Sequence, residues 1–287
     1  MSSAIPNIHS LQEGPMRFYR GVHRHYCGVD LHARTMHVCL MDHQGTILVH
    51  EGIPSEPEAF LRLIAPYRED LVVCAECIFC WYWLADLCAA HGIHFVLAHA
   101  LYLKAIHGAK SKNDAVDSEK LCTLLRGGVI PQAYVYPPRL RATRDLMRRR
   151  LFFTRKRAEL FCHIENTFHQ YNQKKPLSAV SSAKQRAQLA AWFPDPMVRA
   201  SVAADLARCT AYDLRIQALV KLIEQQARTQ EPSALALLRT IPGVGRILGL
   251  TILYEIDTIE RFLRVQDFSS YCRLVKPEHS SDGKRLG

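Results

Sequence analysis

Between residues 25 and 54 the chain sets three short apolar runs apart with turn-like residues. "YCGVDLH" from Tyr26, "MHVCLMD" from Met36 and "GTILVHEGI" from Gly45 predict an antiparallel three-stranded meander. The period then lengthens. "SEPEAFLRLIAPY" opens on Ser, Pro and Glu and carries Phe60, Leu61 and Ile64 at helical spacing. "LVVCAE" reads as a short buried strand, "FCWYWLADLCAAHG" as a helix closed by a Gly cap, and "IHFVLA" as another strand. "DAVDSEKLCTLLRGG" follows as a helix. The order β-β-β-α-β-α-β is that of an RNase H-like α/β layered fold.

From Pro137 the pattern changes. "RLRATRDLMRRRLFFTRKR", residues 139–157, holds nine Arg or Lys residues against one acid, and helical patterning continues to about Tyr171. A break in "NQKKPLSAVSS" and more helix from about Met197 to Arg228 predict an antiparallel helical hairpin or coiled-coil-like arm. Charge this one-sided favours nucleic-acid contact, through Arg139, Arg141, Arg144, Arg148, Arg149, Arg150, Arg155, Lys156 and Arg157, over a merely solvated spacer. Further on, "LLRTIPGVGRILGLTILYEIDTIERF" places "PGVG" between two apolar helical stretches. Gly243 and Gly245 permit a tight turn that leaves backbone N–H groups free at the start of the next helix, beside Arg246. That is the pattern of a helix-hairpin-helix, which grips the nucleic-acid backbone without reading bases; a structural helix turn is the alternative.

Composition sharpens the choice of partner. With 287 residues there is length for about two domains, and 37 Lys and Arg against 27 acids give a net charge of +10. Such an excess favours a polyanion, nucleic acid first, over an acidic small substrate. The N-terminus has no apolar signal core, and no run approaches 18 uninterrupted apolar residues, so no membrane partner is expected. Ten cysteines without a secretion signal read as reduced thiols in a cytosol. Cys74, Cys77 and Cys80 superficially suggest a metal site, but Leu84 stands where a fourth ligand would fall and the surroundings are apolar. Small buried hydrophobes are the better reading.

"KSKNDAVDSEKL", residues 110–121, sets Asp114 and Asp117 three apart, on one face of a helix. Alone they could be first-turn acids that suit the helix dipole. An RNase H-like order, however, brings Asp30 on the central first strand and Glu76 at the end of the neighbouring fourth strand toward the same sheet edge. Four converging carboxylates are costly unless cations neutralise them. Two divalent ions, about 3.5 to 4 Å apart, would do so and would serve phosphodiester chemistry. Hard oxygen ligands favour Mg²⁺ or Mn²⁺. Asp42 reads as a turn residue at a strand end.

In order along the chain, "GVDLH", "AECIFCWYWLADLCAAHGI", "KSKNDAVDSEKL", "RATRDLMRRRLFFTRKRAEL", "LLRTIPGVGRILGLTILYEI" and "RFLRVQDFSSYCRLVKPEHSSDGK" resemble DEDD-type insertion-sequence transposases, the group named after insertion sequence 110 and its 1111 branch. The resemblance implies a flexible segment over 1–20, a RuvC-like DEDD catalytic domain over 21–136, a basic helical linker arm over 137–230 and a mainly helical transposase domain over 231–287. It implies action on DNA, at element ends and targets, as a homo-oligomer (dimer or tetramer) guided by a small structured RNA, in a prokaryotic, nucleoid-associated, cytoplasmic setting. The metal-binding tetrad falls on Asp30, Glu76, Asp114 and Asp117. A serine nucleophile falls on Ser281, with Ser280 as the alternative register, in a loop. Relatives run on into further helix beyond Gly287, so support for that loop would be shortened here. A RuvC-like structure-selective nuclease using water shares the acids without a covalent intermediate. A non-catalytic nucleic-acid-binding protein shares only the basic arm and the hairpin.

Overall fold

The computed structural model describes residues 17–106, 113–173, 186, 188–274, 280–281 and 284–285. The chain forms two compact units: one takes residues up to Val135 together with those from Glu260, the other Tyr136–Ile259. The stretch 231–287 therefore contributes to both units.

The first unit is built on a five-stranded sheet. Its strands are β2 (His25–Leu31), β3 (Thr35–Asp42), β4 (Ile47–Pro54), β5 (Leu71–Glu76) and β6 (His94–Ala98), in the order β4-β3-β2-β5-β6. The meander β2-β3-β4 is antiparallel, whereas β5 and β6 run parallel to β2. Alternation sorts each strand between two cores. Cys27, Val29, Leu31, Val73 and Ala75 meet Phe60 and Ile64 of α1 (Pro57–Ile64) and Leu84 and Cys88 of α2 (Trp81–Ala90). Tyr26, Val72, Cys74 and Cys39 face the other way, against Leu121, Cys122 and Leu125 of α4 (Asp114–Arg126).

Helix α4 sits unusually close to β2. A Cβ on Gly28 would lie 2.3 Å from the Ser118 carbonyl oxygen and 2.4 Å from the Cys122 amide nitrogen. One turn further along α4, the Cys122 thiol donates to the Tyr26 carbonyl at 3.1 Å. The helix thus runs antiparallel to the strand, with its first turn over the strand's C-terminal end.

Two small features escaped the sequence pattern. Phe18–Tyr19, β1, pair antiparallel with Ile130–Pro131, β7, inside the 1–20 stretch expected to be flexible, whose first 16 residues lie outside the described ones. A seven-residue helix, α3 (Ala100–Ile106), follows β6. The C-terminal part of this unit is tied in by Arg261, whose guanidinium stacks on the Tyr134 ring at 4.0 Å and whose carbonyl accepts from Arg17.

The second unit is helical. α5 (Pro138–Gln170) and α6 (Pro196–Gln230) pack antiparallel: Ile164 and Phe168 meet Val202, Leu206 and Cys209, while Leu140 and Met147 meet Ile223 and Ala227. α7 (Pro232–Thr240) and α8 (Arg246–Ile256) add Leu235, Leu250, Leu253 and Tyr254 to the second cluster.

Gly28→Ala is expected to destabilise the protein by about 1–3 kcal/mol, because the atoms its methyl meets are helix backbone and cannot rotate away. Urea unfolding followed by circular dichroism measures it; wild-type stability in the variant would show that α4 does not sit against β2 in this way.

Candidate metal centre and nucleic-acid interface

Asp30 shares the strand parity of Tyr26 and Gly28, so it lies on the α4 face of the sheet. Glu76 shares the parity of Val72 and Cys74 and lies on the same face. The register Val29↔Ala75 makes the two acids neighbours at the ends of parallel strands. Asn113 caps α4, its side chain accepting from the Ala115 amide at 3.1 Å, so the helix starts at Asp114. Asp114 and Asp117 therefore head the stripe of α4 that continues through Ser118, Leu121 and Cys122 onto the sheet.

Ligand atoms of Asp30, His32 and Asp114 all lie within 4.8 Å of one another, and among the described residues this is the one such group of three or more His, Cys, Asp or Glu side chains. His32 Nε2 is 3.4 Å from an Asp30 oxygen and 3.6 Å from an Asp114 oxygen. Asp30 is largely buried at 13% side-chain exposure, Asp114 is open at 61%, and Asp117 pairs with Lys120 at 3.2 Å. Burial pushes the Asp30 carboxyl above its ordinary range; His32 opposes this, and the charges of Asp114 and Asp117 add to it. A divalent cation would relieve that repulsion, so this donor set fits one.

The structure thus brings Asp30 and Asp114 together, whereas Glu76, next to Asp30 on the adjoining strand, and Asp117, paired with Lys120, stand outside that group. His32 was missed by the sequence reading, although it stands two residues beyond Asp30, a spacing that keeps two strand residues on one face. The first turn of α4 is held from below by two more histidines. His50 Nε2 donates to the Ala115 carbonyl at 2.9 Å, and His37 Nδ1 lies 3.0 Å from Ser118 Oγ. Asp42 accepts from the Gln44 and Thr46 amides, each at 2.9 Å, as a turn residue should. Cys74 is buried, Cys77 is exposed and the Cys80 thiol donates to the Leu31 carbonyl at 3.3 Å, so these thiols face different ways.

Ser280 and Ser281, expected in a loop, instead form strand β8, which pairs antiparallel with β9, Lys284–Arg285. They belong to the same compact unit as the acids.

The basic residues divide sharply. Arg141 is buried and donates to the Tyr136 carbonyl at 2.6 Å. Arg144 and Arg148 each lie 2.9 Å from Glu255, and Arg144 stacks on Tyr136. Arg139 bridges Glu231 and Asp257, Arg157 pairs with Asp213, Lys156 with Glu159, and Arg246 with Glu224. Arg149 and Arg155 are exposed. Burial and the charges of Arg157 and Arg246 lower the Arg150 pKa, and its Nε–H is buried with no partner among the described residues. Gly243, at φ 84°, and Gly245 have open space where side chains would be, at the start of α8.

A family model for the DEDD transposase of IS110 elements matches residues 27–173, more than half of the chain. The chain belongs to the IS110 family of transposases. A second family model, for transposases of the IS116/IS110/IS902 family, matches residues 235–287. No curated protein matches the chain. Membership makes this transposase a DNA-breaking and recombining enzyme, and the cation-compatible acids suit a family that works with divalent metal. Among its described residues no helix is long and apolar enough to cross a membrane.

Glu255 sits between two arginines in the helical unit, and its carboxyl is pushed up by burial but held below its ordinary value by Arg148 and Arg144. A depressed folded pKa contributes stability that is present above the ordinary carboxylate range and lost as pH falls through the lowered value. Glu255→Gln is therefore expected to cost about 2 kcal/mol at pH 7, and the gap to wild type is expected to close under acid conditions. Thermal unfolding at both pH values decides it; a gap independent of pH would mean the ion pairs contribute nothing.

Proposed function

We propose that this transposase breaks and rejoins DNA strands under the direction of a structured RNA, using Asp30, Glu76, Asp114 and Asp117 to hold divalent metal and Ser281 as the nucleophile. The observation that carries the proposal is the meeting of Asp30 and Asp114, 84 positions apart in the sequence, at a point where their oxygens and an imidazole nitrogen share one small space. When bound, Mg²⁺ or Mn²⁺ supplies Lewis-acid stabilisation of charge on the reacting phosphate. The carboxylates orient the phosphate through that charge, and the first turn of α4 presents the positive end of its dipole to the same region.

The serine step is a transesterification. The Ser281 oxygen bonds to phosphorus as a strand oxygen leaves, and the serine proton passes in net terms to that oxygen, giving a free hydroxyl end. A hydroxyl from another strand then attacks the phosphoserine, regenerating the serine and joining new partners. The phosphodiester is conserved, so neither water nor nucleotide energy is consumed. Exposed Arg149 and Arg155 and the open glycine turn before α8, read as a helix-hairpin-helix, supply phosphate contacts that carry no sequence information. Target choice is left to base pairing by the RNA. The long α5–α6 pair is read as the linker arm of a homo-oligomer.

An RNA copurification and three variants test this. With the protein expressed alongside the DNA that flanks its gene, a discrete RNA transcribed from that DNA is expected to copurify. Given that RNA and a nicked DNA substrate, Ser281→Ala is expected to abolish covalent protein–DNA adducts, and Asp30→Asn to reduce them by about 10²-fold or more. Adducts persisting in Ser281→Ala but lost in Ser280→Ala would move the nucleophile by one register. Strand breakage without any adduct would replace the serine mechanism with hydrolysis.

A further inference from the structure

We infer that His32 is a direct ligand of the divalent cation, so that the ion held by Asp30 and Asp114 has a mixed nitrogen and oxygen coordination shell. This rests on the proposed metal role of the acids and goes beyond it by adding a residue outside the tetrad and a metal preference. The imidazole stands within ion-pair distance of both carboxylates, the spacing that donors to one shared ion also take. His32 Nε2 stands 3.4 Å and 3.6 Å from the two carboxylates, beyond the 2.7–3.2 Å usual for an N–H···O bond. Donors that each lie about 2.0–2.2 Å from one ion are themselves about 2.8 to 3.6 Å apart, depending on the angle between them, and the two distances here, 3.4 Å and 3.6 Å, fall at the upper end of that range.

The backbone holds the imidazole in place. The His32 N–H donates to the Thr35 carbonyl at 3.0 Å, and its own carbonyl accepts from Ser55 Oγ at 2.8 Å. The preceding carbonyl, of Leu31, accepts from the Cys80 thiol. A half-exposed side chain, at 49%, thus projects from a turn fixed at three points, and little further ordering is needed to bind an ion.

A neutral imidazole changes what the site prefers. Carboxylate oxygens alone suit Mg²⁺ and Mn²⁺ alike, whereas a nitrogen ligand favours the later transition metals and Mn²⁺ over Mg²⁺. The site therefore prefers Mn²⁺ to Mg²⁺ and takes Co²⁺ more tightly still.

The test titrates Mn²⁺ into the purified full chain and follows it by electron paramagnetic resonance and electron spin echo modulation. Wild type is expected to show modulation from a directly bound imidazole nitrogen. In His32→Ala that modulation should vanish and Mn²⁺ affinity should fall by roughly 10- to 100-fold, the range seen when groups supporting a metal site are removed. Competition with Mg²⁺ should show the Mn²⁺ preference shrinking in parallel. His32→Gln, of similar size, guards against misfolding of the smaller variant and should lose the nitrogen signal too. Tight Mn²⁺ binding without nitrogen modulation, or with a signal unchanged in both variants, overturns the assignment of His32 while leaving the carboxylates in place. No Mn²⁺ binding that depends on Asp30 or Asp114 overturns the underlying metal reading as well.

Discussion

The close approach of α4 to β2 at Gly28 is the constraint on which the candidate site depends. With no side chain at that position, helix backbone rests on strand backbone, and the antiparallel run of the helix carries its first turn to the C-terminal end of the strand. Asp30 and Glu76 stand at that end on the matching face, and Asp114 and Asp117 are delivered from above. Any side chain at residue 28 would lift the helix and part the two pairs of acids. Concentrated negative charge then follows from packing, and its electrostatic cost is offset in part by the helix N-terminus and by Lys120. What remains unbalanced is what a cation would satisfy.

The same protein shows how little a count of charges says about where charge is available. Most of the nine cations between residues 139 and 157 are committed within the helical unit: Arg144 and Arg148 to Glu255, Arg139 to Glu231 and Asp257, Arg157 to Asp213. These pairs join residues up to 118 positions apart, so no window of sequence could reveal them. The residues left to meet a polyanion are fewer, chiefly Arg149 and Arg155, and they lie on one helix. Loss of Arg144 would weaken the fold before it weakened binding.

Much of the fold was legible because its signals are local. Strands β2 to β6 and helices α1, α2 and α4 each follow from alternation, helical spacing or a cap within about a dozen residues. The convergence of Asp30 with Asp114 was legible only through fold order, since it depends on which strand lies at the centre of the sheet. The β1–β7 pair, two residues on each side, is too short to leave a pattern. His32 went unnoticed for a different reason: histidine is ordinary on a strand end, and only the distances to two carboxylates distinguish it. The serines were read as loop residues because their strand is just two residues long.

Whether these acids form a cation site is measured most directly by an anomalous difference map from crystals soaked in Mn²⁺. A peak is expected within coordinating reach of Asp30 and Asp114, bordered by Glu76 and Asp117. Ordered acids with no peak at saturating Mn²⁺, or a peak held by other residues, would contradict it.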